Sequence, residues 1–222
     1  MTAPRFASVV LDVDSTVSGI EGIDWLARLR GGQIAANIGR LTADAMRGAI
    51  PLEDVYGRRL ALIKPTRVEI DALSHAYIDA IARDCPATIA AFRRAGIQIA
   101  LVSGGIRQAL LPLASQLGVD ARDLHAVDLR FDSRGNYASF DASSPLTTTA
   151  GKAIVVESLG FPHPILAVGD GQTDLAMRSA VDSFVAFTGF AVRDAVIRSA
   201  DSVVKSFQEL ERVVLGAELD SA

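Results

Sequence analysis

The sequence is poor in features that mark several specialised classes of protein. Its 222 residues include one cysteine, Cys85, so an internal disulfide is impossible and a disulfide-stabilised secreted fold is excluded. No apolar run approaches the roughly 20 residues that a membrane-spanning helix requires. The N-terminus also lacks the pattern of a secretory leader. We therefore expect a protein that has no membrane partner and works in the reducing cytoplasm.

Positive charge and aromatic residues are scarce as well. Lys and Arg number 22 against 26 Asp and Glu, which gives a formal net charge of −4, and aromatic residues make up only 6%. The sequence has no basic stripe interleaved with aromatics, so composition argues against a nucleic-acid-binding protein. Half of the residues are hydrophobic. That fraction is sufficient for one large domain, or for a domain that carries a smaller insertion.

Short strand-like apolar runs alternate with helical patterns along most of the chain. This alternation predicts an α/β fold in which helices cover both faces of a parallel sheet. A ligand then binds beyond the carboxyl ends of the strands. The predicted strands are Phe6–Leu11, Ile97–Val102, Ile165–Val168, Phe184–Phe187 and Ser202–Val204, and the predicted helices are Ala87–Ala95, Arg107–Leu117, Lys152–Leu159 and Asp174–Ser179.

Two segments depart from this alternation. Residues 18–78 show helical patterns and no convincing strand, which predicts a helical cap inserted into an α/β core formed by residues 1–17 and 79–222. The segment Leu124–Phe140 contains two strand-like runs around the turn residues 132–136, which predicts a small β-hairpin. The predicted helices of the cap are Ile23–Leu29, Ile34–Met46, Leu52–Ile63 and Val68–Ala80.

Polar motifs follow several predicted strands or begin predicted helices. Asp12 and Asp14 end the first strand, where alternate residues point the same way. Ser103, Gly104 and Gly105 end the second strand, and their hydroxyl and N–H groups can bind phosphate oxygens. Each motif alone has a simpler explanation, such as a turn, a helix cap or a solvated lysine. The remaining motifs are Lys152 at a helix start and Gly169-Asp170-Gly171-Gln172-Thr173-Asp174 after the run Ile165–Val168.

The motifs gain weight when they are considered together. The carboxyl ends of parallel strands lie along one edge of a sheet, so we expect these side chains to converge there. Together they supply carboxylates for a hard cation such as Mg²⁺, a carboxylate nucleophile, an acid and positive groups for a phosphate. The sequence therefore predicts an enzyme of phosphoryl transfer.

The order of these motifs resembles the haloacid dehalogenase superfamily, and within it the phosphoserine phosphatases. The resemblance implies a Rossmann-like core with a helical cap, and a Mg²⁺-dependent enzyme that hydrolyses a small phosphomonoester. Phosphoserine is the first candidate substrate, with serine as the product. The resemblance extends from Phe6 to Val214 and rests on Asp-Val-Asp-Ser-Thr-Val at 12–17, Glu-Gly-Ile-Asp at 21–24, the cap stretches 45–51 and 59–65, Ser-Gly-Gly at 103–105, Lys152, and Gly-Asp-Gly-x-Thr-Asp at 169–174.

The resemblance implies a role for each matching residue. Asp12 would attack phosphorus and become an aspartyl-phosphate, and it would need no general base because a carboxylate is ionised at neutral pH. Asp14 would protonate the leaving oxygen and then activate water. Mg²⁺ would be held by the carboxylates of Asp12 and Asp170 and by the backbone carbonyl of Asp14, with Asp174 in a supporting position. Phosphate would be bound by Ser103, Gly104 and Lys152. The rest of the substrate would be bound by Glu21, Met46, Arg59 and Thr173.

Substrate choice would depend on the cap. The resemblance implies that Glu21 receives the ammonium of the substrate and Arg59 its carboxylate, and such a charge pair suits a zwitterion. The alternative is that Arg59 forms an ordinary surface ion pair with Glu53 or Asp54, which would contribute little.

Three departures from the family pattern keep other functions open. Leu52 stands where the family usually has a phenylalanine beside the substrate, which leaves phosphothreonine, phosphohomoserine or transfer to another alcohol as alternatives. Gln172 and Leu11 also differ from the usual residues. A non-catalytic protein that binds a phosphorylated metabolite is a further alternative, disfavoured because Asp12 and Asp14 are both present. Oligomeric state stays open.

Overall fold

A parallel sheet forms the centre of the structure, a computed structural model that describes residues 4–216. Its strands are β1 (Ser8–Leu11), β2 (Gln98–Ile106), β3 (Leu124–Val127), β6 (Ile165–Gly169), β7 (Ser183–Phe187) and β8 (Ser202–Val204). The six strands lie in the order β3-β2-β1-β6-β7-β8, and every neighbouring pair is parallel. The predicted α/β fold is thereby confirmed.

Strand β1 lies at the point where the strand order reverses. It pairs with β2 on one side and β6 on the other, with Ser8 opposite both Gln98 and Ile165. All of β1 is buried, as expected for a central parallel strand covered on both faces. In an open α/β sheet, the crevice outside such a reversal is where ligands bind. The fold therefore places the residues after Leu11 at the expected ligand site.

The helices that pack on this sheet follow the predicted pattern with small shifts. The helix predicted at Asp174–Ser179 is shorter and continues as a 3₁₀ helix at Ala176–Ala180. The last two helices were not predicted. The helices are α5 (Cys85–Arg94), α6 (Arg107–Gln116), α7 (Gly151–Ser158), α8 (Gln172–Leu175), α9 (Asp194–Ser199) and α10 (Phe207–Leu215).

Within the described range 4–216, no helix has the length and apolar character that crossing a bilayer requires.

Between β1 and α5 the chain forms four helices, here called the helical block. They are α1 (Gly22–Arg28), α2 (Gly32–Met46), α3 (Leu52–Ile63) and α4 (Arg67–Asp79). The helical prediction for this stretch is therefore confirmed, whereas the division into a core and a cap at residues 18–78 stays a prediction.

The predicted hairpin is present but is shorter than expected. Its strands are β4 (Leu129–Phe131) and β5 (Tyr137–Phe140), which pair antiparallel. The preceding residues, Leu124–Val127, instead form β3 at the edge of the main sheet. Apolar residues lie directly on both sides of Asp128, and neither glycine nor proline separates the two runs, so sequence alone did not divide the two strands.

Arg30 joins three elements of the helical block. Its guanidinium donates two hydrogen bonds of 2.6 Å to Glu69 at the start of α4. It also donates to the carbonyl oxygens of Ile63 (2.7 Å) and Lys64 (3.3 Å) at the end of α3. Bidentate pairs of this kind are stronger than ordinary surface contacts. Arg30 therefore fixes the ends of α1, α3 and α4 relative to one another.

Removal of the Glu69 charge tests this contribution to stability. For Glu69→Gln we expect the free energy of unfolding at neutral pH to fall by about 1 kcal/mol. Hydrogen bonds from Arg30 lower the pKa of Glu69 from 4.5 to about 2, so the loss should be full above pH 4.5 and shrink toward pH 2. Urea denaturation at several pH values measures the difference, with the exposed Asp71→Asn as a control. If the loss in free energy of unfolding does not shrink as the pH falls toward 2, the ion pair between Arg30 and Glu69 is not its cause.

Candidate active site

One cavity at the carboxyl end of the sheet collects every residue that the sequence nominated. The core contributes its carboxylates, its lysine and its serine-glycine segment, and the helical block contributes the others. The structure thus brings the motifs together, while their individual roles stay predictions. The nominated residues that line the cavity are Asp12, Asp14, Glu21, Met46, Arg59, Ser103, Gly104, Lys152, Asp170, Thr173 and Asp174.

A tight turn after β1 brings Glu21 beside the first pair of carboxylates. Ser15 adopts a left-handed conformation with φ of +57°, which is uncommon for a residue other than glycine. Its hydroxyl donates a hydrogen bond of 2.8 Å to Glu21. The N–H of Gly22 donates to Oδ2 of Asp14 at 2.9 Å. The turn therefore joins the end of β1 to the start of α1, and backbone strain at such a place is typical of functional sites.

Lys152 lies between two carboxylates in the floor of the cavity. Its ammonium group donates to Oδ1 of Asp12 and, at 2.5 Å, to Oδ1 of Asp174. Lys152 is 5% exposed, and both carboxylates are buried as well. The lysine is therefore not the solvated residue of the simpler explanation. It is a buried cation whose charge is matched by the residues around it.

Asp174 organises the loop that follows β6. Its Oδ2 accepts hydrogen bonds from the backbone N–H groups of Asp170 (3.1 Å) and Gly171 (2.8 Å). A Cβ atom at Gly169 would lie only 2.3 Å from Cβ of Asp174. A side chain at position 169 would thus displace the aspartate, which explains the glycine at the end of this strand.

Burial shifts the protonation of the acidic groups. Burial and the charge of Asp174 raise the pKa of Asp12 to about 7, although Lys152 opposes them. Burial and the charge of Asp12 raise the pKa of Asp14 to about 7, and burial with the charge of Asp14 does the same for Glu21. Burial thus opposes ionisation of Asp12 while the ammonium of Lys152 favours it, and the expectation that Asp12 attacks as a carboxylate stays a prediction. Burial would lower the pKa of Lys152, but Asp12 and Asp174 raise it overall.

The acidic groups suit a hard cation. Asp12, Asp170 and Asp174 each offer a carboxylate oxygen, and these oxygens lie within 4.8 Å of one another. Buried carboxylates are the ligands that Mg²⁺ and Ca²⁺ prefer. Both oxygens of Asp174 already accept hydrogen bonds from Lys152 and the backbone. The donor set therefore fits a divalent cation, and a bound cation would favour the ionised form of Asp12.

The serine-glycine segment belongs to β2 rather than to a loop after it. Strand β2 continues to Ile106, and its register with β3 shifts between Val102 and Ile106, as in a bulge. The hydroxyl of Ser103 accepts a hydrogen bond of 2.9 Å from the N–H of Gly105. The irregular strand end keeps Ser103 and Gly104 in the lining of the cavity.

Arg59 reaches the cavity from α3 and is almost fully buried, with 4% exposure. Its Nη1 donates to the hydroxyl of Thr42 (2.9 Å), which donates in turn to Asp24 (2.6 Å). Among residues 4–216 its Nε has no hydrogen-bond partner. The alternative of a surface ion pair with Glu53 or Asp54 is therefore wrong. Arg59 is a buried guanidinium that still has a free donor.

Two buried tyrosines at the site were not predicted. The hydroxyl of Tyr77 on α4 donates to Oδ1 of Asp14 at 2.7 Å. The hydroxyl of Tyr56 on α3 donates to the carbonyl oxygen of Gly104 at 2.8 Å. Both side chains fit the apolar pattern of their helices, so sequence gave no signal that their hydroxyl groups have polar partners in the site.

Arg193 was also missed. Its guanidinium contacts the carboxylate of Asp170, and its Nη2 lies 3.7 Å from Oε1 of Glu21. It precedes α9, in the loop that follows β7. That loop lies at the same edge of the sheet as the other motifs. Because ligands bind beyond the carboxyl ends of parallel strands, the position of the loop could have identified Arg193 as a candidate.

Comparison with known proteins agrees with this geometry. A family model for haloacid dehalogenase-like hydrolases matches residues 9–179. The chain is 34% identical over 208 residues to the chloroplastic phosphoserine phosphatase of Arabidopsis thaliana, covering 91% of this chain and 70% of the relative. It is 33% identical over 206 residues to the phosphoserine phosphatase of Bos taurus, covering 91% of both.

A solved structure shares the fold. A phosphoserine phosphohydrolase-like protein from Francisella tularensis superposes with a TM-score of 0.84 at 23% identity, covering 91% of this chain and 97% of that one. The resemblance found in the motifs is thus confirmed over most of the sequence. The chain belongs to the haloacid dehalogenase-like hydrolase family, among the phosphoserine phosphatases.

Proposed function

We propose that this protein is a Mg²⁺-dependent phosphatase that hydrolyses O-phosphoserine to serine and phosphate. The observation that carries the proposal is one cavity that combines two sets of groups. Asp12, Asp14 and Lys152 provide the chemistry of phosphoryl transfer, whereas Glu21 and Arg59 provide opposite charges for an amino acid. The named activity of the relatives in Arabidopsis thaliana and Bos taurus supports the same substrate.

In the first half-reaction, Asp12 attacks phosphorus while the bond from phosphorus to the serine oxygen breaks. Lys152 offsets the repulsion between this carboxylate and the phosphate dianion. Ser103 and Gly104 bind phosphate oxygens at the end of β2. The proton of Asp14 passes to the departing serine oxygen, so serine leaves as a neutral alcohol. The product of this step is an aspartyl-phosphate on Asp12.

In the second half-reaction, water attacks the phosphorus of the aspartyl-phosphate. Asp14, now a carboxylate, accepts a proton from that water while the bond from phosphorus to Asp12 breaks. Phosphate leaves, and both aspartates return to their starting states. A pKa of Asp14 near 7 supports this double role, because an effective acid–base group has a pKa close to the working pH.

The cation would be held by the carboxylates of Asp12 and Asp170 and by the backbone carbonyl of Asp14. When bound, it supplies positive charge that orients the phosphate and lowers the repulsion at phosphorus. The hydrogen bonds that occupy Asp174 support a role as a second layer behind the ligands.

The helical block is proposed to act as the cap, over residues 18–78, that selects the substrate. The free Nε of Arg59 would bind the substrate carboxylate, and Glu21 would bind its ammonium. Met46 and Thr173 line the same space and would contact the substrate between its charged ends. Closure of such a cap also excludes water from the reacting groups.

The residue at position 52 bears on the alternative substrates. Leu52 is 4% exposed and lines the cavity, so a side chain smaller than phenylalanine leaves phosphothreonine and phosphohomoserine as competitors. Mg²⁺-dependent phosphate release from these compounds, phosphoserine and a sugar phosphate ranks them directly.

Because the only cysteine, Cys85, is buried and unpaired, we also propose that the protein works in the cytoplasm.

The nucleophile is tested by Asp12→Asn, which keeps the shape and removes the attacking charge. We expect kcat for phosphoserine to fall by about a thousandfold or more, with folding intact. Acid quenching during turnover of phosphate-labelled substrate should trap label on the wild type and none on the variant. Trapped label on Asp12→Asn, or retention of most of its activity, would exclude Asp12 as the nucleophile.

The metal ligands are tested by titration of Mg²⁺ into chelator-treated protein. Asp170→Asn removes a direct ligand, so we expect an affinity loss greater than about a hundredfold, whereas Asp174→Asn should lose about tenfold. Isothermal calorimetry measures both. A larger loss for Asp174→Asn would make Asp174 a direct ligand, and full activity in excess EDTA would remove the metal from the mechanism.

Substrate recognition is tested by comparing neighbouring arginines on α3. Arg59→Gln should lower kcat/KM for phosphoserine roughly 30-fold to 900-fold, equivalent to a loss of about 2–4 kcal/mol of transition-state stabilisation, because a buried charged contact is lost. Turnover of p-nitrophenyl phosphate should change little. Glu21→Gln should show the same selectivity. Arg58→Gln is the matched control, since Arg58 is exposed beside the buried Arg59. Equal losses for both substrates would leave a phosphatase that does not recognise an amino acid.

A further inference from the structure

The hydroxyl group of Tyr77 contacts the site from behind. Tyr77 is fully buried on α4, and it donates a hydrogen bond of 2.7 Å to Oδ1 of Asp14. The lining of the cavity, as residues 4–216 form it, includes Asp14 and excludes Tyr77. The phenol therefore touches the proposed acid without touching the space for substrate, and any effect on the reaction must pass through Asp14.

Two glycines make room for this hydroxyl. A Cβ atom at Gly22 would lie 2.0 Å from the phenolic oxygen of Tyr77, and one at Gly105 would lie 3.3 Å from it. The N–H of Gly22 also donates to Oδ2 of Asp14 at 2.9 Å. Each oxygen of the carboxylate thus has its own donor. The two hydrogen bonds together fix the rotation of the carboxylate about its Cβ–Cγ bond.

The backbone around Tyr77 is attached to the same turn that carries Asp14. The hydroxyl of Ser18 donates to the carbonyl oxygen of Tyr77 at 2.9 Å. The N–H of Gly19 donates to the carbonyl oxygen of Ala80 at 2.9 Å. The end of α4 and the loop after β1 are therefore held together independently of the tyrosine side chain. The hydrogen bond from phenol to carboxylate is a fixed feature of this junction.

We propose that Tyr77 is a positioning residue for the acid–base group Asp14. The inference rests on the proposed function, in which Asp14 gives its proton to the leaving oxygen as the bond to phosphorus breaks. The carboxylate that remains accepts the hydrogen bonds of Tyr77 and Gly22, which stabilise its new negative charge. A carboxylate has about four lone-pair positions, so two stay available, and one of them can carry the proton that passes to the leaving oxygen.

Tyr77→Phe removes only the hydroxyl and tests the inference. We expect kcat for phosphoserine to fall on the order of tenfold to a hundredfold, the usual effect of a lost hydrogen bond to a charged group. The loss for p-nitrophenyl phosphate should be several times smaller, because its leaving group needs little protonation. KM should change less than about twofold. A merely structural role would lower both substrates equally, and that result would overturn the inference.

A double-mutant cycle tests whether the effect passes through Asp14. In the Asp14→Asn background, Tyr77→Phe should cause no further loss of phosphoserine turnover, because the group it positions has gone. Independent losses that multiply would overturn the inference. Tyr56→Phe is the matched control: it also removes a buried tyrosine hydroxyl, but one that donates to Gly104. We expect its effect to be the same for good and poor leaving groups.

Aryl phosphates separate this inference from the proposed substrate. Phenyl phosphate and p-nitrophenyl phosphate need neither Glu21 nor Arg59 but differ in their need for an acid. Tyr77→Phe should reduce phenyl phosphate turnover more than p-nitrophenyl phosphate turnover. If the wild type does not hydrolyse phosphoserine but this difference appears, the proposed substrate is wrong and the role of Tyr77 stands. If phosphoserine is hydrolysed and the difference is absent, the role of Tyr77 is wrong.

Discussion

The site depends on the buried contact of Lys152 with Asp12 and Asp174. Several carboxylates crowd into a region with little water, and burial alone would drive them toward their neutral forms. One buried ammonium group offsets part of this repulsion before any substrate arrives. The position of Lys152 depends on the glycine before it, because a Cβ atom at position 151 would lie 1.7 Å from the carbonyl oxygen of Pro145. Glycine there lets α7 begin close enough for Lys152 to reach the floor of the cavity.

The two parts of the chain divide the work of the proposed reaction. The parallel sheet supplies the groups for phosphorus, since strands β1, β2 and β6 end at one edge. The helical block supplies the charges that match an amino acid and the hydroxyl that holds Asp14. Asp14 stands where the two parts meet, with Gly22 and Tyr77 donating to it from α1 and α4. Asp14 therefore links the sheet, which would carry the chemistry, to the helical block, which would select the substrate.

Much of the fold and most of the site could be predicted from sequence. The strand-end motifs were sufficient because parallel strands deliver their carboxyl ends to one edge whatever the details of packing. Other features left no pattern. Tyr77 and Tyr56 look like ordinary apolar positions of a helix, and β3 merges with the hairpin across Asp128. Arg193 occupies a loop without a motif; its position after β7 indicates the correct edge of the sheet, but only the folded chain shows that Arg193 contacts Asp170.

The sequence by itself determined the family, the α/β fold with its run of helices after β1, and the identity of most of the polar groups that meet in the cavity. These follow from local patterns and from the spacing of motifs along the chain. Only the tertiary structure decided how those groups behave. Burial raises the pKa of Asp12, and packing encloses the guanidinium of Arg59 and leaves its Nε without a hydrogen-bond partner within residues 4–216. Two glycines admit the hydroxyl of Tyr77. The reason is physical: desolvation, close approach and hydrogen-bond partners depend on distances between residues far apart in sequence, which no local pattern contains.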